Sequence, residues 1–260
     1  MPKKKKQDPS NKPSWSGSDS STARKAPRSR IQCLLSSNDP ACAPGQESQF
    51  TQNMNWRIFR IMAEFVEGFE FLSKLRNEVS IYGSARATQS NRYYQIARDL
   101  GYKLGKAGYT VITGGGPGIM EAANWGAHEA GADSIGLDIM LPMEQRENQY
   151  VTKSLAFHYF FTRKVMLSAS SQAYIVFPGG FGTLDEMFEV VTLTQTGKTD
   201  TTVPVILVGK KYWAPLLEWI KNVMLEEERF IDPQDMNIFH LVDSADEALK
   251  IVKKTKERIL

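Results

Sequence analysis

The chain has 260 residues, of which 42% are hydrophobic and 23% are charged, and it carries a formal net charge of +3. These proportions are ordinary for a globular protein, and no apolar run reaches the roughly 18 residues that a membrane-spanning helix needs. Residues 1–30 hold nine basic and two acidic side chains, so the other 230 residues sum to −4. Because residues 31–260 are mildly acidic, we expect no nucleic-acid binding by the folded domain.

The N-terminal segment differs in composition from the rest. Residues 1–50 are rich in Ser, Pro, Lys, Asn and Gln and lack apolar periodicity. Such a segment buries too little surface to offset the entropy of ordering it, so the sequence predicts a disordered basic tail over 1–50 and one folded domain over 51–260. No apolar stretch follows the lysines at 3–6, as a secretory signal would require. Cys33 and Cys42 match no zinc spacing or disulfide framework, and a cytoplasmic location is therefore expected.

Beyond the tail, hydrophobic periodicity predicts one helix and then alternating strands and helices. Apolar residues at three- and four-residue steps from Met54 to Leu75 indicate an amphipathic helix. The patterns after it are, in chain order, strand 79–82, helix 93–106, strand 109–112, helix 119–130, strand 134–139, helix 162–171, strand 173–177, helix 183–195, strand 203–208, helix 213–225, a short strand near 238–241 and a helix capped by Ser244. This alternation predicts an α/β fold, a single Rossmann-like doubly wound parallel sheet with helices on both faces.

Three loops with glycine follow strands of this sheet, at 83–86, 113–118 and 178–183. The carboxyl ends of parallel strands share one edge with the N-termini of the helices that follow them, so we expect these loops to meet in one crevice. The loop 178–183, Pro-Gly-Gly-Phe-Gly-Thr, joins a buried strand to a helix. It would present backbone N–H groups at a helix N-terminus, which is a phosphate site.

Two side chains of opposite charge are predicted beside this loop. Glu186 lies three residues after Thr183 and so on the same helix face, about one turn from the phosphate. Arg163 begins the helix that precedes strand 173–177, and that end of the helix faces the same crevice. Each residue has an alternative explanation without a functional role. An acid such as Glu186 is favoured in the first turn of a helix by the helix dipole alone. Arg163 would, in the other alternative, be a surface residue beside Lys164.

Other catalytic signatures are missing from the sequence. His128, His158 and His240 fall in no metal-ligand spacing, and neither a nucleophile elbow nor a Walker A motif occurs. Chemistry by Glu and Arg, with no metal and no cofactor, is the expectation that remains.

The residues 178–186 resemble a known family. They match the P-G-G-x-G-T-x-x-E motif of the LOG ("lonely guy") family, cytokinin riboside 5′-monophosphate phosphoribohydrolases, many of which carry the label "possible lysine decarboxylase". The turn Gly114–Ala122 and the pair Arg163-Lys164 are also similar to this family, and the N-terminal extension resembles its longer bacterial type. The resemblance implies a hydrolase that cleaves the N-glycosidic bond of AMP, or of an N6-modified AMP such as cytokinin riboside 5′-monophosphate, to free base and ribose 5-phosphate.

The resemblance also implies roles for residues and partners. Carried over by motif, Arg163 and Glu186 are the catalytic pair, and the phosphate is held by Gly179, Gly180, Gly182 and Thr183. The converging loops and the Arg-Lys pair add further predicted substrate-binding residues: Gly83, Ser84, Arg86, Gly115, Gly116 and Lys164. The family implies a homodimer or larger homo-oligomer with sites near the subunit interface, a small-molecule nucleotide substrate and a place in cytokinin biosynthesis.

Three rival functions stay open on the sequence. They are a nucleotide sensor or carrier without turnover, an amino-acid decarboxylase, and a DNA-processing relative of the same superfamily. Release of free adenine from AMP separates the first from a hydrolase, and CO₂ from lysine tests the second. The net negative charge of residues 31–260 argues against a DNA-processing protein.

Overall fold

A computed structural model describes residues 54–140, 147–198 and 203–258, so the predicted tail over 1–50 lies outside the described residues. In chain order the helices are α1 (Met54–Leu72), α2 (Arg92–Lys106), α3 (Ile119–Glu129), α4 (Phe160–Ala169), α5 (Phe181–Gln195), α6 (Lys210–Trp219) and α7 (Ala245–Val252). The strands are β1 (Glu78–Tyr82), β2 (Thr110–Thr113), β3 (Ser134–Ile139), β4 (Lys153–Phe157), β5 (Ala173–Val176), β6 (Val205–Val208) and β7 (Phe239–Val242). A π-helical segment (Ile220–Glu227) and a 3₁₀ helix (Pro233–Ile238) lie between α6 and β7.

The strands form one sheet in the order β4-β3-β2-β1-β5-β6-β7, and every pair is parallel. The chain builds outward from β1 to β4 and then crosses to the other side of β1 to add β5, β6 and β7. Strand order therefore reverses between β1 and β5, where Tyr82 pairs with Val176. In open α/β sheets, ligands bind beyond the carboxyl ends of the strands at this point. The predicted fold class is confirmed.

The central strands are rich in apolar residues because both faces of the sheet are covered. Every residue of β1, β2, β5 and β6 is buried. Alternate side chains enter two different layers: Ile175 packs with Leu100 and Ala123 under α2 and α3, whereas Tyr174 and Val176 pack on the opposite face, which α1, α4, α5 and α6 cover.

Most predicted elements appear within a few residues of their expected bounds, with two differences. The strand β4 was not predicted, because Lys153 and Ser154 interrupt the apolar pattern and only 155–157 are buried. This edge segment forms a strand because it pairs with β3, from Ile135↔Lys153 to Ile139↔Phe157, and not because of its own apolar pattern. The helix predicted over 213–225 begins earlier, as α6, and continues as the π-helical segment.

The first helix lies on the α4 side of the sheet. A Cβ on Gly68 would come within 2.6 Å of Met166 Sδ, so α1 and α4 approach closely at this point. The outward side of α1 exposes a stripe of apolar side chains: Ile58, Phe59, Met62, Val66 and Phe69. Among the residues that the structure describes, no helix combines the length and apolar character needed to cross a membrane.

Candidate active site

The loop between β5 and α5 leaves the first amides of α5 without protein acceptors. Gly180 is the N-cap in extended conformation, with no side-chain cap, and its carbonyl accepts from Leu184 N at 3.1 Å. Within the described part of the chain, the N–H groups of Phe181, Gly182 and Thr183 donate to no protein atom. Three free amides at the positive end of a helix dipole form a site for an anion.

The glycines of this loop fall into two kinds. A Cβ on Gly179 would collide with the Thr183 side chain, whereas a Cβ on Gly180 or Gly182 would meet no atom within 4 Å. Gly179 therefore allows close packing inside the loop, and the other two border open space in front of the amides. The Tyr212 hydroxyl, from the first turn of α6, donates to the Gly179 carbonyl at 2.6 Å and holds the loop from the next helix.

Arg163 and Glu186 come together beside these amides. Arg163 Nη1 lies 3.9 Å from Glu186 Oε1, and the two side chains are only 12% and 20% exposed. Arg163 Nε also donates to the Leu137 carbonyl at 2.7 Å, at the end of β3. Arg163 is thus a fixed, half-buried cation that spans from β3 to α5, and not a solvated surface residue.

The environment of Glu186 acts on its ionisation in two directions. Burial raises the pKa of the Glu186 carboxyl above its ordinary value, because the charged form loses water. The nearby Arg163 guanidinium opposes this effect and lowers the pKa. The arginine therefore extends the pH range over which Glu186 is an anion.

The glycine turn after β2 forms the wall behind Arg163. A Cβ on Gly114 would collide with the Arg163 guanidinium, and a Cβ on Gly115 would collide with the Asp138 carboxylate. Gly115 also has a φ of +71°, which side chains disfavour. Glycine at 114 and 115 therefore lets two charged side chains from other elements approach the backbone.

A buried polar network holds this turn in place. Asn148 Nδ2 donates to the carbonyls of Gly115 and Gly116 at 3.0 and 3.1 Å and to Asn124 Oδ1 at 3.0 Å. The Thr113 hydroxyl donates to the same Asn124 oxygen at 2.6 Å and accepts from Gly115 N at 3.0 Å. Gly115 and Gly116 are thus positioned by Asn124, which lies in α3, and by Asn148, which lies in a loop. No motif or spacing in the sequence identified these two asparagines.

Asp138, near the end of β3, is a second half-buried acid at this edge, and no sequence pattern indicated a role for it. Its Oδ2 has no hydrogen-bond partner among the described residues. Burial and, to a smaller extent, the Glu147 carboxylate raise the pKa of Asp138 to about 7, and the Arg163 guanidinium acts in the opposite direction.

Asp138→Asn is expected to stabilise the protein above neutral pH. The folded-state pKa of about 7 exceeds the ordinary value of 3.8, so the folded protein binds this proton more tightly and loses stability as the pH rises through that window. The gain in unfolding free energy from the substitution should be larger at pH 8 than at pH 5, by on the order of 2 kcal/mol. Urea unfolding at both pH values measures it, with Asp133→Asn, an exposed aspartate just before β3, as the control. An equal difference at both pH values would contradict the prediction.

The remaining predicted site residues lie around this centre. Ser84 joins two loops to α3: its N donates to the Pro178 carbonyl at 3.1 Å and its carbonyl accepts from Ile119 N at 3.0 Å. Gly83 packs on Ile119, where a Cβ would be 2.6 Å from the side chain. Arg86 is exposed, and its N–H donates to Ser84 Oγ. Lys164 makes ion pairs with Asp185 at 2.8 Å and Glu189 at 3.3 Å, which brace α4 against α5.

Comparison with known proteins gives consistent matches. The family model described as "Possible lysine decarboxylase" matches residues 120–252. The chain is 33% identical over 188 residues to cytokinin riboside 5′-monophosphate phosphoribohydrolase LOG3 of Arabidopsis thaliana, covering 71% of this chain and 84% of the relative. It is 33% identical to LOG4 of the same plant, covering 67% and 79%. Their names assign phosphoribohydrolase activity to these relatives.

Solved structures share the fold. TM1055, a structural genomics target, superposes with a TM-score of 0.52 at 25% identity, covering 68% of this chain and 99% of that one. The molybdenum cofactor carrier protein of Chlamydomonas reinhardtii has a TM-score of 0.52 at 20% identity, covering 69% and 97%.

Proposed function

This chain belongs to the LOG family, and from that premise we propose that it hydrolyses the N-glycosidic bond of adenine-type nucleoside 5′-monophosphates. The substrate is AMP or an N6-modified AMP such as a cytokinin riboside 5′-monophosphate, and the products are the free base and ribose 5-phosphate. The observation that carries the proposal is the Arg163–Glu186 pair, 3.9 Å apart beside the free amides of α5.

In the proposed complex the 5′-phosphate binds at the N-terminus of α5. The amides of Phe181, Gly182 and Thr183 donate to its oxygens, and the helix dipole favours its charge. Binding energy from this remote group positions the sugar, so the phosphate contributes to the rate as well as to affinity. Glu186 lies one turn further along α5, within reach of the ribose.

Cleavage passes through a sugar with oxocarbenium character. As the bond from C1′ to the base nitrogen breaks, its electron pair leaves with the base, and positive charge develops on the ribose. The Glu186 carboxylate stabilises that charge or orients the water whose oxygen attacks C1′. The water loses a proton as its oxygen bonds to C1′, and the departing base takes up a proton, so the products are neutral free base and ribose 5-phosphate. Arg163 keeps Glu186 ionised, because a close cation lowers a carboxylate pKa.

The rival functions have weaker support. The label "possible lysine decarboxylase" is the description of the family model, whereas the named relatives are phosphoribohydrolases. The similarity to molybdenum cofactor carriers lies at 20–23% identity and concerns the fold alone.

The decisive test is a nucleotide panel read out as released base. We expect AMP or its N6-prenylated form to yield free base, and adenosine to react at least about tenfold more slowly in kcat/KM, because it lacks the group that anchors the sugar. Chromatography of the products measures both rates. No base from any monophosphate would favour a binding protein, and equal rates for AMP and adenosine would remove the phosphate site from the proposal.

A homo-oligomer, with its sites near the subunit interface, forms part of the proposal. Its support is the apolar stripe on α1, together with exposed Phe160, Phe161 and Val165 on α4 and Phe181, 92% exposed, at the start of α5. Apolar faces of this kind are typical of surfaces that bind another chain. Sedimentation velocity at micromolar concentration measures the mass of the oligomer.

A cytoplasmic location and a role in cytokinin biosynthesis are proposed together with the activity. The location is proposed from the cysteine usage, and the pathway from the names of the relatives.

A further inference from the structure

α1 carries a buried carboxylate that reaches another helix. Glu64 is only 2% exposed, whereas Glu70 on the same amphipathic helix is exposed. α1 also precedes the segment, 120–252, that the family model matches. Burying a carboxylate is costly unless donors compensate it, so the donors around Glu64 identify its role.

Glu64 binds the N-terminus of α4. Oε1 accepts from His158 N at 2.8 Å, and Oε2 accepts from Tyr159 N at 3.3 Å and from the Thr162 hydroxyl at 2.6 Å. Tyr159 is the N-cap of α4, and it offers no side-chain cap of its own. Ser, Thr, Asp or Asn is ordinarily found at that position. Here Glu64, from α1, instead accepts from the amides of the N-cap residue and of the residue before it, and from the Thr162 hydroxyl in the first turn. The negative charge also suits the positive end of the helix dipole.

The turn that Glu64 binds is the one that holds Arg163. Arg163 follows Thr162 directly, and its own N–H donates to the Tyr159 carbonyl at 3.3 Å. From this turn the guanidinium reaches the Leu137 carbonyl and lies 3.9 Å from Glu186. A rotation or fraying of this turn would move the guanidinium away from both.

We propose that Glu64 is a positioning residue for the active site, which fixes the first turn of α4 and through it the direction of the Arg163 guanidinium. The expected effect of Glu64 on kcat rests on the proposed function, whereas its effect on the position of the Arg163 guanidinium does not. This positioning gives α1 a role in the site, because Glu64 on this helix holds the turn of α4 that carries Arg163.

Glu64→Gln and Glu64→Ala test the kinetic consequence in the full-length protein. The Gln oxygen can replace one carboxylate oxygen, but its NH₂ group cannot accept from the other donors. We expect Glu64→Gln to lower kcat for AMP about tenfold and Glu64→Ala about 100-fold, because small misplacements of catalytic groups have effects of this order. KM should stay within about twofold, since the α5 amides that bind the phosphate are untouched. Glu70→Gln, on the exposed side of α1, is the matched control and should leave both constants unchanged.

A second readout does not depend on turnover. In ¹⁵N spectra, the Arg163 Nε–H, assigned by its disappearance in Arg163→Lys, should be protected from exchange by its bond to Leu137. That resonance should shift and lose protection in Glu64→Gln and stay unchanged in Glu70→Gln. A wild-type protein inactive on every nucleotide would contradict the proposed function, and this resonance would still decide the role of Glu64. Positioning is overturned if the Arg163 signal is unaffected by Glu64→Gln, or if kcat stays within twofold of an active wild type. A rise in KM that matches the loss in kcat also overturns it.

Discussion

Glu186→Gln is expected to reduce kcat for AMP by about 1,000-fold or more while AMP still binds, because it removes the anion that faces the developing positive charge. The proposed phosphate site consists of backbone amides at the start of α5, one turn away, and does not depend on the Glu186 charge. An interaction made mainly in the transition state lowers kcat and kcat/KM together and leaves the dissociation constant almost unchanged.

The measurement combines single-turnover kinetics with calorimetric titration of AMP. Asp185→Asn is the matched control, since Asp185 is the adjacent acid, is 63% exposed and pairs with Lys164. We expect that variant to retain most of the wild-type rate. A Glu186→Gln enzyme with wild-type kcat, or an Asp185→Asn enzyme that loses as much, would remove Glu186 from the mechanism.

The sheet and the loop with free amides before α5 were predictable because their signals are local. Strands buried on both faces are largely apolar, and 79–82 and 173–177 are so apart from Ser80. The sequence Pro-Gly-Gly-Phe-Gly-Thr contains its own break and its own helix start, so the position of the free amides follows from a few adjacent residues. The juxtaposition of Arg163 with Glu186 required only the topological rule that places strand ends and helix starts at one edge.

Side chains that act across the fold could not be found in this way. Glu64 reads as one more polar position on an amphipathic helix, and its burial appears only when α1 packs on α4. Tyr212 and Asn148 reach the glycine loops from elements whose positions no local pattern fixes. Asp138 lies in a strand whose prediction was correct, but the burial of its Oδ2 without a partner among the described residues depends on the close approach of Gly115.

Arg163→Gln should lower kcat and also shift the pH dependence of the reaction, which separates the electrostatic role of the arginine from simple loss of a contact. The Glu186 pKa is raised by burial and lowered by Arg163, so removal of the cation leaves burial unopposed and the pKa rises. The reaction requires ionised Glu186 and fails as the pH falls through that pKa. The acid limb of kcat/KM should therefore move to higher pH, while kcat at its plateau falls about 100-fold.

Rates of base release from AMP between about pH 4 and pH 9 measure this limb. Arg76→Gln is the control, because Arg76 precedes β1 and so lies at the opposite edge of the sheet, with a side chain 63% exposed. It should leave the profile unchanged. An acid limb that stays in place in Arg163→Gln would mean that Arg163 acts on the substrate and not on Glu186. A limb that moves to lower pH would contradict ionised Glu186 as the active form, since no loss of a neighbouring cation makes a carboxyl more acidic.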